Sequence, residues 1–376
     1  MAIDVRFTPD QDALRDSIRS YFARRCSTSF VRDLEASDAG YDPAMWREMA
    51  DLGWLGMTVP EVDGGGGGSF LSLIPLYEEM GRAIVPSPHL DTTVATDVLV
   101  ALGSDAQKGA LLPALMRGDC VVSLALTEAD GEIGRESIAL EATRKGDGWV
   151  LDGIKLLVAY AASANLLLCS ARGADGVTLF LVDPKASGVS LTPMPNISGI
   201  PLSAVEFTQV AVSSDAMIGQ PGRGWPALSD AIAKGAVLQA ATVVGAAGAV
   251  LEITNQYAKD RAQFGHPIGS YQAVQYMVSD ILIDMHRCDL LTRQAAYLID
   301  AGKPFAREAA IAATFAKEAS AHLHRQAHEV HAGVAFMMEH DLQLYSRRAK
   351  YWETALGDVR YHEARLAEAL DLTSAS

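Results

Sequence analysis

Apolar positions recur with the helical period in the first third of the chain. Thr8-Pro9-Asp10-Gln11 reads as a helix start, with Thr8 as N-cap, Pro9 at the first helical position and Gln11 closing a capping box. Leu14, Ile18, Tyr21 and Phe22 then share one face. Similar patterns predict helices over 43–52, 70–81, 92–102 and 106–116, so everything up to Gly118 reads as helical. Near Asp119 the pattern changes to short alternating or apolar runs at 121–127, 138–143, 166–171, 177–182, 189–192 and 205–210. Turn residues such as Gly146-Asp147-Gly148 and Asp183-Pro184 separate them, which predicts a small antiparallel β domain. After Pro221-Gly222-Arg223-Gly224 the helical period returns: Val274, Met277, Val278, Ile281, Met285 and Cys288 follow the i, i+3, i+4, i+7 rule. Gly302 with Pro304 ends one helix and begins another, and four long helices of this kind would form a bundle. The expected fold is α+β in three domains: N-terminal helical 1–118, middle β 119–217 and a C-terminal four-helix bundle 218–376.

Composition narrows the function. The 376 residues hold 31 Lys+Arg against 46 Asp+Glu, a net charge of −15, which argues against nucleic-acid binding. With 49% hydrophobic and 20% charged residues, the chain can build a large core. Cys26, Cys120, Cys169 and Cys288 lie far apart with no CxxC spacing, which points to a reducing, intracellular compartment. The first ten residues lack the basic start and apolar run of an export signal, so a cytoplasmic location is expected. The apolar stretch 235–253, interrupted by Gln239, Thr242 and Glu252, fits a buried bundle helix better than a membrane span.

Several tempting sites dissolve on their spacing. The five glycines at 64–68 lack both the Lys-Ser/Thr of a phosphate loop and a preceding strand, so a flexible surface loop is expected. His324, His328 and His331 share a helical face beside His322, but His328-Glu329-x-His331 lacks the His-Glu-x-x-His spacing of a zinc site. Core or interface histidines, and no metal, are expected there. Glu339-His340-Asp341 reads as a turn or helix start, and no Gly-x-Ser-x-Gly elbow appears.

One motif stands out: Tyr257-x3-Arg261-x-Gln263-Phe264-Gly265-x-Pro267-Ile268-x2-Tyr271-Gln272. Here the sequence resembles the acyl-CoA dehydrogenase family. Weaker matches follow at Leu126-Thr127-Glu128, Gly153-x-Lys155, His331-Ala332-Gly333-x2-Phe336 and Arg347-x-Ala349-Lys350, so the resemblance covers essentially the whole chain. It implies an acyl-CoA substrate, FAD as cofactor, an electron-transfer acceptor protein, and a dimer of dimers built through the C-terminal bundle. It also implies that Arg261 reaches the pyrophosphate of a neighbouring subunit's FAD, with Gln263 and Phe264 beside it. A guanidinium suits that task as a rigid, permanently charged fork of donors. Ile268, Tyr271, Glu329, Gly333, Leu126 and Thr127 fall at further cofactor-contact positions of the family.

The reaction implied by the resemblance needs a carboxylate to take a proton beside the thioester carbonyl. The family's usual position for it falls on Leu356, before Gly357, and the alternative position on Gly235; neither side chain can accept a proton. A positioned base contributes roughly 10² to 10⁴ in rate, so the loss is large. Asp358 and Glu353 are the nearest substitutes in sequence. Other flavin contacts change as well: the family's aromatic and hydroxyl residues after Gly-x-Lys become Leu157 and Ala159, and its Gly-x-Gly-Ser loop becomes Asp130-Gly131-Glu132-Ile133. Glu329 and Ala332 replace a glutamine and a glycine. The positions lost are those that would serve the chain's own flavin ring, and those kept reach toward a neighbour's cofactor. The resemblance therefore implies the non-base-bearing subunit of a heteromeric enzyme, like two-gene actinobacterial assemblies acting on steroid side-chain thioesters, with a homologous partner in a heterotetramer; a homo-oligomer is the other arrangement. Same-fold flavin chemistry of the nitroalkane oxidase or monooxygenase type, or a flavin-free structural subunit, are the alternative readings.

Overall fold

The computed structural model describes residues 5–372. Six helices come first: α1 (Pro9–Arg25), α2 (Thr28–Glu35), α3 (Pro43–Asp51), α4 (Ile74–Arg82), α5 (His89–Leu102) and α6 (Asp105–Met116). At α1 the capping box forms as expected, Thr8 Oγ1 accepting from Gln11 N and Gln11 Oε1 accepting from Thr8 N. The eight-residue α2 escaped the periodicity because it spans only two turns.

The middle of the chain is a sheet of β1 (Val122–Ala125), β2 (Glu141–Lys145), β3 (Gly148–Ala159), β4 (Leu166–Gly173), β5 (Gly176–Val182), β6 (Val189–Met194), β7 (Leu202–Val212) and β8 (Met217–Ile218). Its order is β6-β7-β3-β2-β4-β5-β8, with β1 laid on β4. Most pairs are antiparallel, but β1 runs parallel to β4, because the whole β2–β3 hairpin intervenes and supplies the crossover that parallel pairing requires. The twelve-residue β3 is the one long strand that pattern reading missed; the two-residue β8 escaped it as well. Asp152, Gly153 and a fully buried Lys155 break its alternation, and register shifts against β7 between Leu151 and Gly153 and between Lys155 and Val158 break it further. Trp149, Leu151, Phe180, Val205 and Phe207 pack into the core of this sheet.

The last part holds α7 (Trp225–Asp260), a short hairpin of β9 (Ala262–Gln263) and β10 (His266–Pro267), then α8 (Gln272–Asp300), α9 (Ala306–His331), α10 (Leu342–Trp352) and α11 (Val359–Ala369). Three of these helices are long; where a fourth long one was expected, the chain forms α10 and α11, separated by a turn in which Leu356 and Gly357 both take positive φ. Among the described residues α7 alone is long and apolar enough to cross a membrane, and most of it is buried inside the protein.

The chain divides into two compact units. One gathers the described residues up to Arg32, Ser69–Val85 and those from Ala236 on; the other comprises Asp33–Gly68 and Pro86–Gly235. In the first unit α4 crosses α7 at two glycines: a Cβ on Gly245 would fall on the Glu78 carbonyl, and one on Gly81 on the Thr242 carbonyl. The small residues of α7 thus serve an intrachain crossing. In the second unit residues 64–68 correct an expectation. Every one of the five glycine amides donates to a backbone carbonyl, Gly64 to Glu61, Gly65 to Pro60, Gly66 to Gly56, Gly67 to Val59 and Gly68 to Met57. The loop is a tightly tied backbone crossing, not a flexible one, and its amides are already engaged.

Candidate cofactor and active site

The Arg261 motif folds as an exposed hook at the end of α7. Arg261 N donates to Tyr257 O at 2.9 Å, and Ile268 N returns to Arg261 O at 2.7 Å, which closes the β9–β10 hairpin at its base. Tyr271 Oη donates to Gln263 O at 2.9 Å and Gln275 Nε2 to Gly269 O at 3.0 Å, tying the hairpin to the start of α8. Phe264 stands at the tip with φ +53° and 93% of its surface exposed. The Arg261 guanidinium makes no hydrogen bond or ion pair with another described residue, and Gln263 Nε2 donates only to the adjacent Ala262 O. A free guanidinium beside an uncovered aromatic is an arrangement that accepts an anionic, partly aromatic ligand from outside.

A second predicted segment lies in the same unit. His331, at the end of α9, stacks on Tyr257 at 4.2 Å and meets His340 edge-on at 4.9 Å. Ala332, directly after it, turns the chain with φ +52°. Glu329 sits on the last turn of α9, and Gly333 has open space where a Cβ would stand. Burial, then the neighbouring His340 and His328, pushes His331 down to about 4, so it packs as a neutral ring. Arg32 on α2 holds the next segment: its guanidinium donates to the carbonyls of Met338 and Glu339 and pairs with Asp341 Oδ1 at 2.9 Å. Glu339-His340-Asp341 thus precedes α10 as the expected helix start, with His340 Nδ1 accepting from Leu342 N at 3.1 Å. Among the described residues no group of three or more His, Cys, Asp or Glu side chains is arranged to hold a metal ion.

The turn between α10 and α11 carries Leu356, with φ +54°, and Gly357, with φ +94°. Around it the acids have other partners. Asp358 caps α11, Oδ1 accepting from Tyr361 N at 2.9 Å; burial raises its pKa, but this bond and Arg360 outweigh burial and leave it lowered. Glu353 pairs with Lys350 at 2.8 Å. The turn is held from beneath by two buried groups the sequence reading did not select, Lys317 and His362. For Lys317 a signal existed: it is the only charged side chain among the buried residues from Ala309 to Ser320 of α9, its neighbour Glu318 being exposed.

In the other unit, Leu126 and Thr127 lie just past β1. Lys155 Nζ, with no exposed surface, bonds Glu128 Oε1 at 2.5 Å, Ser170 Oγ at 3.2 Å and Leu126 O at 3.3 Å. Glu128 in turn accepts from the amides of Ala139 and Leu140, so this buried pair is fully bonded, the condition under which a buried charge is tolerated. Leu156 N donates to Thr127 O at 2.8 Å. Leu157 sits in the β3 bulge with φ +56°, 42% exposed, its amide against Met194 Sδ, and Ala159 is buried. The loop after Thr127 closes on itself, Asp130 Oδ1 accepting from Glu132 N at 3.0 Å. Leu157 offers no ring and Ala159 no hydroxyl at these two positions, and the loop adds the carboxylates of Asp130 and Glu132. For the dinucleotide end of FAD, then, the Arg261 hook fits; for the ring end, the β3 face does not.

Comparison with known proteins matches the chain to three models: acyl-CoA dehydrogenase N-terminal domain over residues 8–119, middle domain over 123–210 and C-terminal domain over 222–370. Benzylmalonyl-CoA dehydrogenase of Aromatoleum aromaticum is 29% identical over 381 residues, 99% of this chain and 100% of that one. Among solved structures, a variant of the Tcur3481–Tcur3483 steroid ACAD is 29% identical with a TM-score of 0.88, covering 98% of this chain and 99% of that one. The ChsE4–ChsE5 complex from Mycobacterium tuberculosis is 26% identical with a TM-score of 0.90 over the same shares.

Proposed function

We propose, from the premise that this chain belongs to the acyl-CoA dehydrogenase family, that it is the non-base-bearing subunit of a heteromeric acyl-CoA dehydrogenase. A homologous partner chain supplies the glutamate, and the two together carry out the α,β-dehydrogenation of an acyl-CoA thioester. FAD is the cofactor of the family, and when bound it takes the hydride and passes electrons to an acceptor protein. One observation carries the reading: the hook bearing Arg261 and Phe264 is presented outward and unpaired, while Leu356 and Gly235 leave both family base positions without a carboxylate. The likeness to two complexes of paired chains, Tcur3481–Tcur3483 and ChsE4–ChsE5, supports it.

In this reading Arg261 would hold the pyrophosphate of the partner's FAD by its charge and N–H donors, and Phe264 would cover apolar surface next to it. Gln263, Ile268, Tyr271 and Gly333 shape the same end, and Leu126 and Thr127 stand at a second, vestigial half-site. Asp358 and Glu353 keep their cap and ion-pair roles. The chain is purified alone and with homologous partner chains, and flavin absorbance and acyl-CoA oxidation are measured. The lone chain is expected to hold little flavin and to oxidise nothing; the right pair holds flavin and turns over. Arg261→Gln in the pair is expected to weaken FAD binding by about 10- to 100-fold, the loss of a charge-assisted contact. A lone chain with stoichiometric flavin and acyl-CoA oxidation would overturn the reading.

A further inference from the structure

Lys317 projects from α9 with only 4% of its surface exposed. Its ammonium has three protons and meets three acceptors: Gln239 Oε1 on α7 at 2.9 Å, Trp352 O at 2.7 Å and Ala355 O at 2.9 Å. Two of these are carbonyls at the C-terminal end of α10, where a cation also meets the negative end of the helix dipole. The third ties that end to α7. The next residues are Leu356 and Gly357, both with positive φ, and the Leu356 backbone is bonded again by His362 from α11. A methionine of similar length would fill the same space without the cost of desolvating a charge. What the ammonium adds is direction, three bonds that fix one backbone conformation.

We propose that Lys317 is a positioning residue: inserted from α9, it locks the turn of residues 353–358, and with it the backbone carrying Leu356, against α7. The consequence for catalysis rests on the reading above, in which Leu356 occupies a family base position; the locking does not. Burial brings the Lys317 ammonium down to about 7, opposed by the charges of Asp358 at the start of α11 and Glu353 at the end of α10. His362, on α11, also faces it and is itself pushed down to about 3, by burial first and then by Lys317. A neutral amine would have two protons for three acceptors, so the lock weakens as pH rises through neutrality.

Hydrogen exchange of the lone full chain reads this without any partner or catalysis, so its failure is separate from failure of the heteromer reading. In Lys317→Met the amides of residues 353–358 are expected to lose roughly tenfold in protection while α8 and β5 are unchanged. In the native chain the same amides, corrected for intrinsic exchange, lose protection between about pH 6 and 8.5, either side of the ammonium's lowered value, and in Lys317→Met they show no such change. Equal protection in the variant, or a loss spread evenly over α7, α8 and α9, would sink the proposal. Should Lys317→Met not fold, the native pH series and Gln239→Leu decide: protection at 353–358 that is flat with pH and untouched by the Gln239 change counts against it.

Discussion

Asp91 lies on α5 with Oδ2 accepting from Leu124 N of β1 at 3.2 Å, and 7% of its surface exposed. Burial pushes its carboxyl up to about 7, only partly offset by that bond. Because the folded value lies above the unfolded one of about 3.9, the fold holds the proton more tightly than the unfolded chain. Stability is unaffected at pH values below the unfolded pKa and is lost progressively as pH rises toward the folded one. Asp91→Asn removes the charge and keeps the acceptor, so it is expected to leave chemical-denaturation stability unchanged near about pH 4 and to raise it, by a few kcal/mol at most, at about pH 8. A stability gain that shrinks with rising pH would contradict this. At this scale the sequence was legible where a motif is local: Arg261, Gln263, Phe264 and Tyr271 follow one another closely, and they share one hairpin and helix start. Lys317 was not, because its acceptors include carbonyls 35 and 38 residues away that no side-chain pattern marks.

Among the elements, glycines separate into those that permit a close crossing and those that merely weaken a helix. Gly245→Ala would drive a methyl into the Glu78 carbonyl, and the clash is expected to cost about 1–3 kcal/mol or more of unfolding free energy. Gly109, exposed within α6 and free of neighbours, is the control: Gly109→Ala is expected to stabilise by about 0.5–1 kcal/mol. Equal effects in urea melts would show that the α4–α7 crossing is looser than described. Helices were legible because their apolar stripes repeat over many turns and their caps are local. The strand β3 was hidden because a buried, fully bonded Lys155 breaks the pattern of its sheet face. The glycine run was misread as loose for a related reason: composition shows missing side chains but not the carbonyls that take up each amide.

For the whole molecule, helix, sheet and helix order was readable from the change of period along the chain, whereas the two compact units were not. Ser69–Val85 joins the C-terminal helices while Asp33–Gly68 joins the sheet, a partition set by contacts far apart in sequence that no local period encodes. The proposed pairing makes a stoichiometric prediction at this scale. A complex with its partner is expected to bind about one FAD per pair of chains, measured by absorbance against subunit concentration, since only one ring-holding face per pair is equipped. A second FAD per pair would mean that the Leu157 face holds a flavin after all.

Phe264, left in water at the tip of its hook, has a cost beyond the fold. Surplus copies would each display an unsatisfied aromatic, the kind of feature by which chaperones and proteases sort orphan polypeptides. On the proposed pairing a counterpart chain covers this ring, so recombinant yield is expected to rise when the two are translated together.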